Sequence, residues 1–139
     1  MAEVLMAVDP GREKCGVAVA ASGGNIVHRQ IVLTAQMEER IPELLKRFSP
    51  SRVLLGRGTF SGNIKKTLER LKEVFPFEFL LVDEKNSTEK ARKLYFRENP
   101  PRGFWKLVPL GLQVPPEPYD DYAAQILVEE YLMRGEKNA

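Results

Sequence analysis

Three acidic positions stand where chain geometry alone does not ask for them. Asp9 follows an apolar run over residues 4–8, and Asp83 and Glu84 follow another over residues 77–82. In an open α/β sheet, ligands gather outside the carboxyl ends of the strands, so acids at two strand ends can converge. The third position is located by angle. At about 100° per residue, Asp120 shares a helical face with Ala124, Leu127 and Tyr131, whereas Asp121 aligns with Gln125 and Glu129. An acid on an apolar stripe is unfavourable unless something pairs with it. That marks Asp120 as the functional candidate and Asp121 as a solvent-side acid. Carboxylates gathered on one site repel each other and favour a bound divalent cation. Oxygen-only ligation suits Mg²⁺ or Mn²⁺ rather than zinc. Two such ions about 3.5–4 Å apart can orient water and stabilise charge during phosphodiester cleavage. Taken singly, Asp9 also reads as a turn acid, Glu84 as a surface acid and Asp120 as a helix N-cap.

The elements that must hold these acids follow from hydrophobic period and turn chemistry. Residues 4–8 form a continuous apolar run, as expected of a central strand covered on both faces. After the turn Asp9-Pro10-Gly11, residues 15–21 read as a second strand. Ser22-Gly23-Gly24-Asn25 is a hairpin turn into a third strand over residues 26–33. An amphipathic helix over 37–48 is ended by Ser49-Pro50. A buried strand over 52–55 precedes Gly56-Arg57-Gly58, and a helix over 63–75 carries Ile64, Leu68, Leu71 and Phe75 at helical spacing. A fifth strand over 77–82, a basic helix over 88–96 capped near Ser87, and a last helix over 119–133 complete the order. Three meandering strands followed by alternating helices and strands predict an α/β fold, a mixed five-stranded sheet with helices on its faces. Six of the ten prolines fall between Pro100 and Pro118. With Phe104, Trp105, Leu107, Val108, Leu110 and Leu112 among them, residues 97–118 read as a stiff, proline-rich loop packed on the domain.

The 139 residues predict one domain over 1–139, 43% hydrophobic and 29% charged, which excludes wholesale disorder. One cysteine excludes a disulfide framework or a cysteine-cluster metal site and suits a reducing cytoplasm. No apolar run approaches the ~20 residues needed to span a bilayer, and no signal-peptide pattern opens the chain. The net charge of +2 hides an uneven distribution. Residues 85–106 carry Lys85, Lys90, Arg92, Lys93, Arg97, Arg102 and Lys106 against Glu89 and Glu98, a local charge of +5. Such a strip attracts phosphates even on a nearly neutral chain, although a solvated helix face has the same composition. Arg12 and Lys14 beside Asp9, and Arg57 between two glycines, are further candidates for phosphate contact.

Three blocks resemble the YqgF (RuvX) family of Holliday junction resolvases in the ribonuclease H-like superfamily. They are VLMAVDPGREKCGVAVA at 4–20, LVDEKNSTEKARKLYF at 81–96 and YDDYAAQILVEEYL at 119–132. The resemblance implies a ribonuclease H-like fold and a metal-dependent nuclease whose acidic triad falls on Asp9, Glu84 and Asp120. Choosing Glu84 over Asp83 rests on the resemblance alone. The implied substrate is structured RNA, such as a ribosomal RNA precursor, or branched DNA. Two departures mark a divergent branch: Gly56-Arg57-Gly58-Thr59 stands where the family usually has Gly-Leu-Pro, and the proline-rich segment replaces a short loop. Lys85 replaces the usual arginine, which keeps the charge but loses a bidentate fork.

The leading expectation is a Mg²⁺- or Mn²⁺-dependent nuclease with two ions held by Asp9, Glu84 and Asp120. Arg12, Lys14, Arg57, Lys85, Arg92, Lys93, Arg97 and Arg102 would position nucleic-acid backbone. A resolvase would act as a symmetric dimer, in the cytoplasm and without a membrane partner. The alternative is a nucleic-acid-binding module of the same fold with a silent catalytic site. A small phosphatase or nucleotide-binding protein is a third reading. The Asp9-x-Gly11 turn also resembles the first phosphate loop of the actin and sugar-kinase fold, but the chain lacks a second lobe to close over a nucleotide. Cys15 reads as a buried small residue, and His28, the single histidine, as structural.

Overall fold

The computed structural model describes residues 3–58, 60–82, 87–99 and 120–137, with the side chains at 22, 87–92, 120 and 133–137 outside that description. Five strands, β1 (Leu5–Asp9), β2 (Lys14–Ala20), β3 (Ile26–Leu33), β4 (Arg52–Gly56) and β5 (Glu78–Val82), form one sheet in the order β3-β2-β1-β4-β5. The β1–β2 and β2–β3 pairs are antiparallel, and the β1–β4 and β4–β5 pairs are parallel. Among the described residues the α-helices are α1 (Met37–Phe48), α2 (Gly62–Leu71), α3 (Ser87–Glu98) and α4 (Asp120–Lys137). The mixed five-stranded sheet expected from the element order is therefore present.

The strand alternation sorts side chains onto two unlike faces. Met6, Val8, Val17, Val19, Val53 and Leu55 face one side and meet Ile41, Leu44 and Leu45 of α1 and Ile64 and Leu68 of α2. Leu5, Ala7, Ala18, Ala20 and Leu54 face the other and meet Ala124, Leu127 and Val128 of α4. Alanines at three of those positions let the α4 backbone lie close to the sheet. Two glycines at positive φ, Gly23 and Gly24 (both 87°), turn the chain between β2 and β3, as the hairpin signal predicts. Helix α1 ends at Ser49 in the left-handed conformation (φ 45°), its N–H donating to the Leu45 carbonyl at 2.9 Å.

Three differences from the sequence reading bear on the site. Helix α2 stops at Leu71 rather than Phe75, because the Val74 N–H bonds back to the Leu71 carbonyl in a tighter final turn before Pro76. Leu71 and Phe75 still pack on the core as their spacing predicts. Helix α3 runs on through Arg97 and Glu98, so those two residues belong to a helix and not to a loop beginning at 97. Asn99 closes it, its backbone N–H and side-chain amide both donating to the Tyr95 carbonyl, at 2.8 and 3.0 Å. The rest of the expected proline-rich loop, with Phe104 and Trp105, lies outside the described residues.

The third difference is a correction of chemistry. Asp121 is not a solvent-side acid. Its side chain is 16% exposed, and its Oδ2 accepts from Arg29 Nε at 3.0 Å. Gln125 on the same stripe is buried and accepts from Arg29 Nη1 at 2.8 Å. The reason is that α4 is covered twice. The sheet takes Ala124, Leu127 and Val128, while Leu94, Tyr95 and Phe96 of α3 cover Tyr122, Ala123 and Ile126. Helical angle tells which residues share a face, not how many faces are covered. Arg29 on β3 completes the joint by donating through Nη2 to the Tyr122 hydroxyl at 3.0 Å, with its guanidinium carbon 3.8 Å from that ring's centroid. Glu98 at the end of α3 lies 3.5 Å from Nη1. Burial pushes the Tyr122 phenol above its ordinary pKa, keeping it a neutral partner at physiological pH.

Arg29→Ala would leave Asp121 and Gln125 without their shared partner inside a packed joint. The expected loss is about 2–3 kcal/mol, seen as a fall in Tm of about 5–10 °C by calorimetry. Arg29→Lys recovers part of it, because an ammonium cannot reproduce the fork. A Tm of Arg29→Ala unchanged from wild type would show that the joint does not hold α4.

Candidate active site

Asp9 is the last residue of β1, half-buried and paired with Gly16 across the antiparallel ladder. On its other side, Val8 is registered with Leu55, and Gly56 with Val82. That register puts Asp9, Gly56 and Val82 in one row, so Asp9 and the end of β5 are two strand spacings, about 10 Å, apart. The chain leaves Val82 toward Asp83 and Glu84, which lie outside the described residues.

The turn after Asp9 is tightly held. A side-chain carbon at Gly11 would come 2.2 Å from the Lys14 carbonyl oxygen, a distance only glycine tolerates. Thr34, just past the end of β3, donates its hydroxyl to the Gly11 carbonyl at 2.9 Å and its backbone N–H to the Glu13 carbonyl at 2.8 Å. Cys15 Sγ sits 3.4 Å from the same hydroxyl and is fully buried, the buried small residue expected. Sequence reading missed Thr34. Its role depends on the β2–β3 register that sets Lys14 against Leu33, which no local motif announces.

Helix α4 begins at Asp120. At its far end, Arg52 Nη1 donates to the Tyr131 hydroxyl, and Leu132 lies against the 22–24 turn. Both contacts are at the end of the sheet where β1 and β4 start, so α4 enters from the Asp9 end and leaves at the other. Position 120 precedes Ala124 by one turn on the sheet-facing stripe, while its side chain lies outside the description. Of the three acids expected to form the triad, Asp9 is thus the one with a described side chain. Among the described residues no group of three histidine, cysteine or acidic side chains gathers as a metal site.

The basic candidates separate into groups. Arg12 is exposed in the turn after Asp9 and Lys14 at the start of β2, and Arg57 is exposed just past β4 with its backbone N–H donating to the Val82 carbonyl at 2.9 Å. These three belong to the Asp9 end of the sheet. Lys93 and Arg97 are exposed on α3, which packs against α4 on the second face. The side chain of Arg92, and Lys85 and Arg102 altogether, lie outside the described residues. His28 is structural, with Nε2 3.1 Å from Gln30 Oε1 and its ring 5.1 Å from that of Phe48. Among the described residues no helix is long and apolar enough to cross a membrane.

Comparisons with known proteins agree with the fold. Over 94% of this chain and 97% of its own, the Fowlpox virus resolvase, solved with Holliday junction DNA, superimposes at a TM-score of 0.65 with 14% identity. The T. thermophilus RuvC, solved in complex with a Holliday junction substrate, matches over 96% of both chains at a TM-score of 0.60 with 18% identity. YeaZ from Pseudomonas aeruginosa matches over 96% of this chain and 94% of its own at 0.52 with 16% identity. At such identities the likeness establishes the fold, which is ribonuclease H-like. No curated protein matches the chain. The sequence pattern of the RuvX family, described as Holliday junction resolvase, matches residues 3–134. With nearly the whole chain inside that match and the sheet order carrying the same fold, the protein belongs to the RuvX family of Holliday junction resolvases, a family of nucleases.

Proposed function

We propose that residues 1–139 act as one divalent-metal-dependent nuclease unit that hydrolyses phosphodiester bonds in branched DNA, with Asp9, Glu84 and Asp120 as its metal ligands. The observation that carries this reading is the end of the sheet itself. Asp9 closes β1 there, β5 runs out toward Glu84 two strands away, and α4 starts at Asp120 on the same side. Three carboxylates form a hard, oxygen-only donor set that fits Mg²⁺ or Mn²⁺. Bound there, such ions supply an activated water and offset the charge that develops on the phosphate.

The chain's own residues bring the substrate to that place. Arg12, Lys14 and Arg57 surround the Asp9 end and draw phosphate oxygens toward it, and Lys93 and Arg97 offer a second cationic surface on α3. Lys85, Arg92 and Arg102 extend the set on the sequence. Such contacts fix register on the backbone without reading bases. The Thr34 hydroxyl and the Gly11 turn keep Arg12 and Lys14 in place beside Asp9. A symmetric dimer would present two such sites to the two strands of a four-way junction.

The test incubates the protein with labelled four-way junctions, linear duplex, single strands and structured RNA, with Mn²⁺ or Mg²⁺ and with chelator. Junction cleavage that requires the metal is expected. Asp9→Asn and Asp120→Asn should each lower the rate by at least ~100-fold while circular dichroism stays native. Cleavage surviving both substitutions, or indifferent to chelator, would sink the triad. Faster cleavage of RNA than of junctions would replace branched DNA with structured RNA as the substrate.

Gly11→Ala tests how far the turn positions the site. The added carbon must displace the Lys14 carbonyl, shifting the segment that follows Asp9. A fall of about 10–100-fold in kcat is expected from a misplacement of this size, with the core melting close to wild type. Full activity in Gly11→Ala would show that the turn does not set the geometry of Asp9.

A further inference from the structure

An open groove of about 710 Å³ lies between α1, α2 and the Asp9 end of the sheet. Its floor is apolar, with Met37, Ile41 and Ile64 buried in the core. Its rim carries Arg12, Lys66 and Arg70 against the single acid Glu38. Glu38 Oε1 is 3.4 Å from Arg70 Nη2, but those side chains are 71% and 63% exposed, so water screens the pair and Arg70 can exchange it for another anion. Lys66 and Arg70 are four residues apart on the exposed face of α2, opposite Ile64 and Leu68. The sequence reading assigned neither a role, because on an amphipathic helix such residues look like an ordinary solvated face.

The groove opens at the candidate site, since Arg12 stands three residues after Asp9 and lines it. It is on the face of the sheet covered by α1 and α2, whereas the basic helix α3 is on the other face, against α4. Two cationic surfaces therefore lie on opposite faces of the sheet, and the groove is the one that opens at the Asp9 end. A single straight duplex arm meets one of them. A substrate that engages both must diverge near the site.

We propose that the α1–α2 groove binds the phosphodiester backbone of a second arm of the nucleic acid, so that simultaneous contact with the groove and with α3 selects branched over linear substrates. This rests on the nuclease reading above for the nature of the ligand. The occupant is argued from charge complementarity, three cations to one exchangeable acid, and from continuity with the Asp9 end.

The experiment measures binding by fluorescence anisotropy in chelator, so that cleavage does not intervene. The probes are a four-way junction and a linear duplex of one arm's sequence, over a range of salt. Lys66→Ala/Arg70→Ala, both exposed, should weaken junction binding by about tenfold, with a salt slope shallower by about 2, one for each phosphate that no longer meets a cation. Duplex binding should change by less than about twofold. Glu38→Gln, which removes the competing acid, should tighten junction binding by about two- to fivefold, an effect that disappears at high salt. Unchanged junction affinity and salt slope in the double variant, or an equal weakening on duplex and junction, would overturn the second-arm assignment. Failure of the wild-type protein to bind either probe would instead refute the branched-DNA reading and take the groove with it. Wild-type binding in the same titration separates the two failures.

Discussion

The guanidinium of Arg29 donates to Asp121, Tyr122 and Gln125, three residues within the first two turns of α4. A helix pressed between a sheet and another helix can slide along its axis at little cost in apolar contact, because alanines make a smooth floor. Directional hydrogen bonds resist that motion. Arg29 sits in the row that runs Ala7, Ala18, Arg29 across three strands, two residues below Asp9. It therefore ties the register of α4 to the strand that carries the first acid. Tyr131 and Arg52 make the matching tie at the far end of the helix. Any geometry that brings position 120 toward Asp9 depends on these two joints.

The same principle governs the turn after β1. Asp9 needs a rigid neighbourhood if it is to hold a charge in a fixed place, and rigidity there comes from groups distant in sequence. Thr34 reaches back over 23 residues to the Gly11 carbonyl. Gly11 itself permits an approach to the Lys14 carbonyl that no side chain would allow. The Asp9 turn thus draws its order from the β2–β3 pairing, while the proposed site would take its charge from acids at positions 9, 84 and 120.

Much of this was legible in the residues. Strands β1 to β5 and helix α1 follow from apolar runs, hairpin glycines and the Ser49-Pro50 stop, because each is decided by local period and turn chemistry. Asp9 at the end of β1 was legible for the same reason, since a strand end is a local feature. What was hidden depended on contacts between elements. Asp121 looked solvated because its stripe, with Gln125 and Glu129, is polar, and nothing in that stripe says that α3 and β3 cover it. Arg29 carries no local signal of its role, which needs β3 and α4 packed together. Lys66 and Arg70 look like solubilising charges until α1 and the Arg12 turn close a groove beside them. The end of α2 was misplaced because apolar spacing continues through Phe75 while the backbone tightens before Pro76.

The central claim is that acids far apart in sequence form one cation site at the carboxyl end of the sheet. Calorimetric titration of Mn²⁺ into wild-type protein and into Asp9→Asn, Glu84→Gln and Asp120→Asn tests it without any substrate. The account predicts saturable binding to wild type, weakened by at least about tenfold in each of the three variants. Equal Mn²⁺ affinity in wild type and all three variants would contradict it.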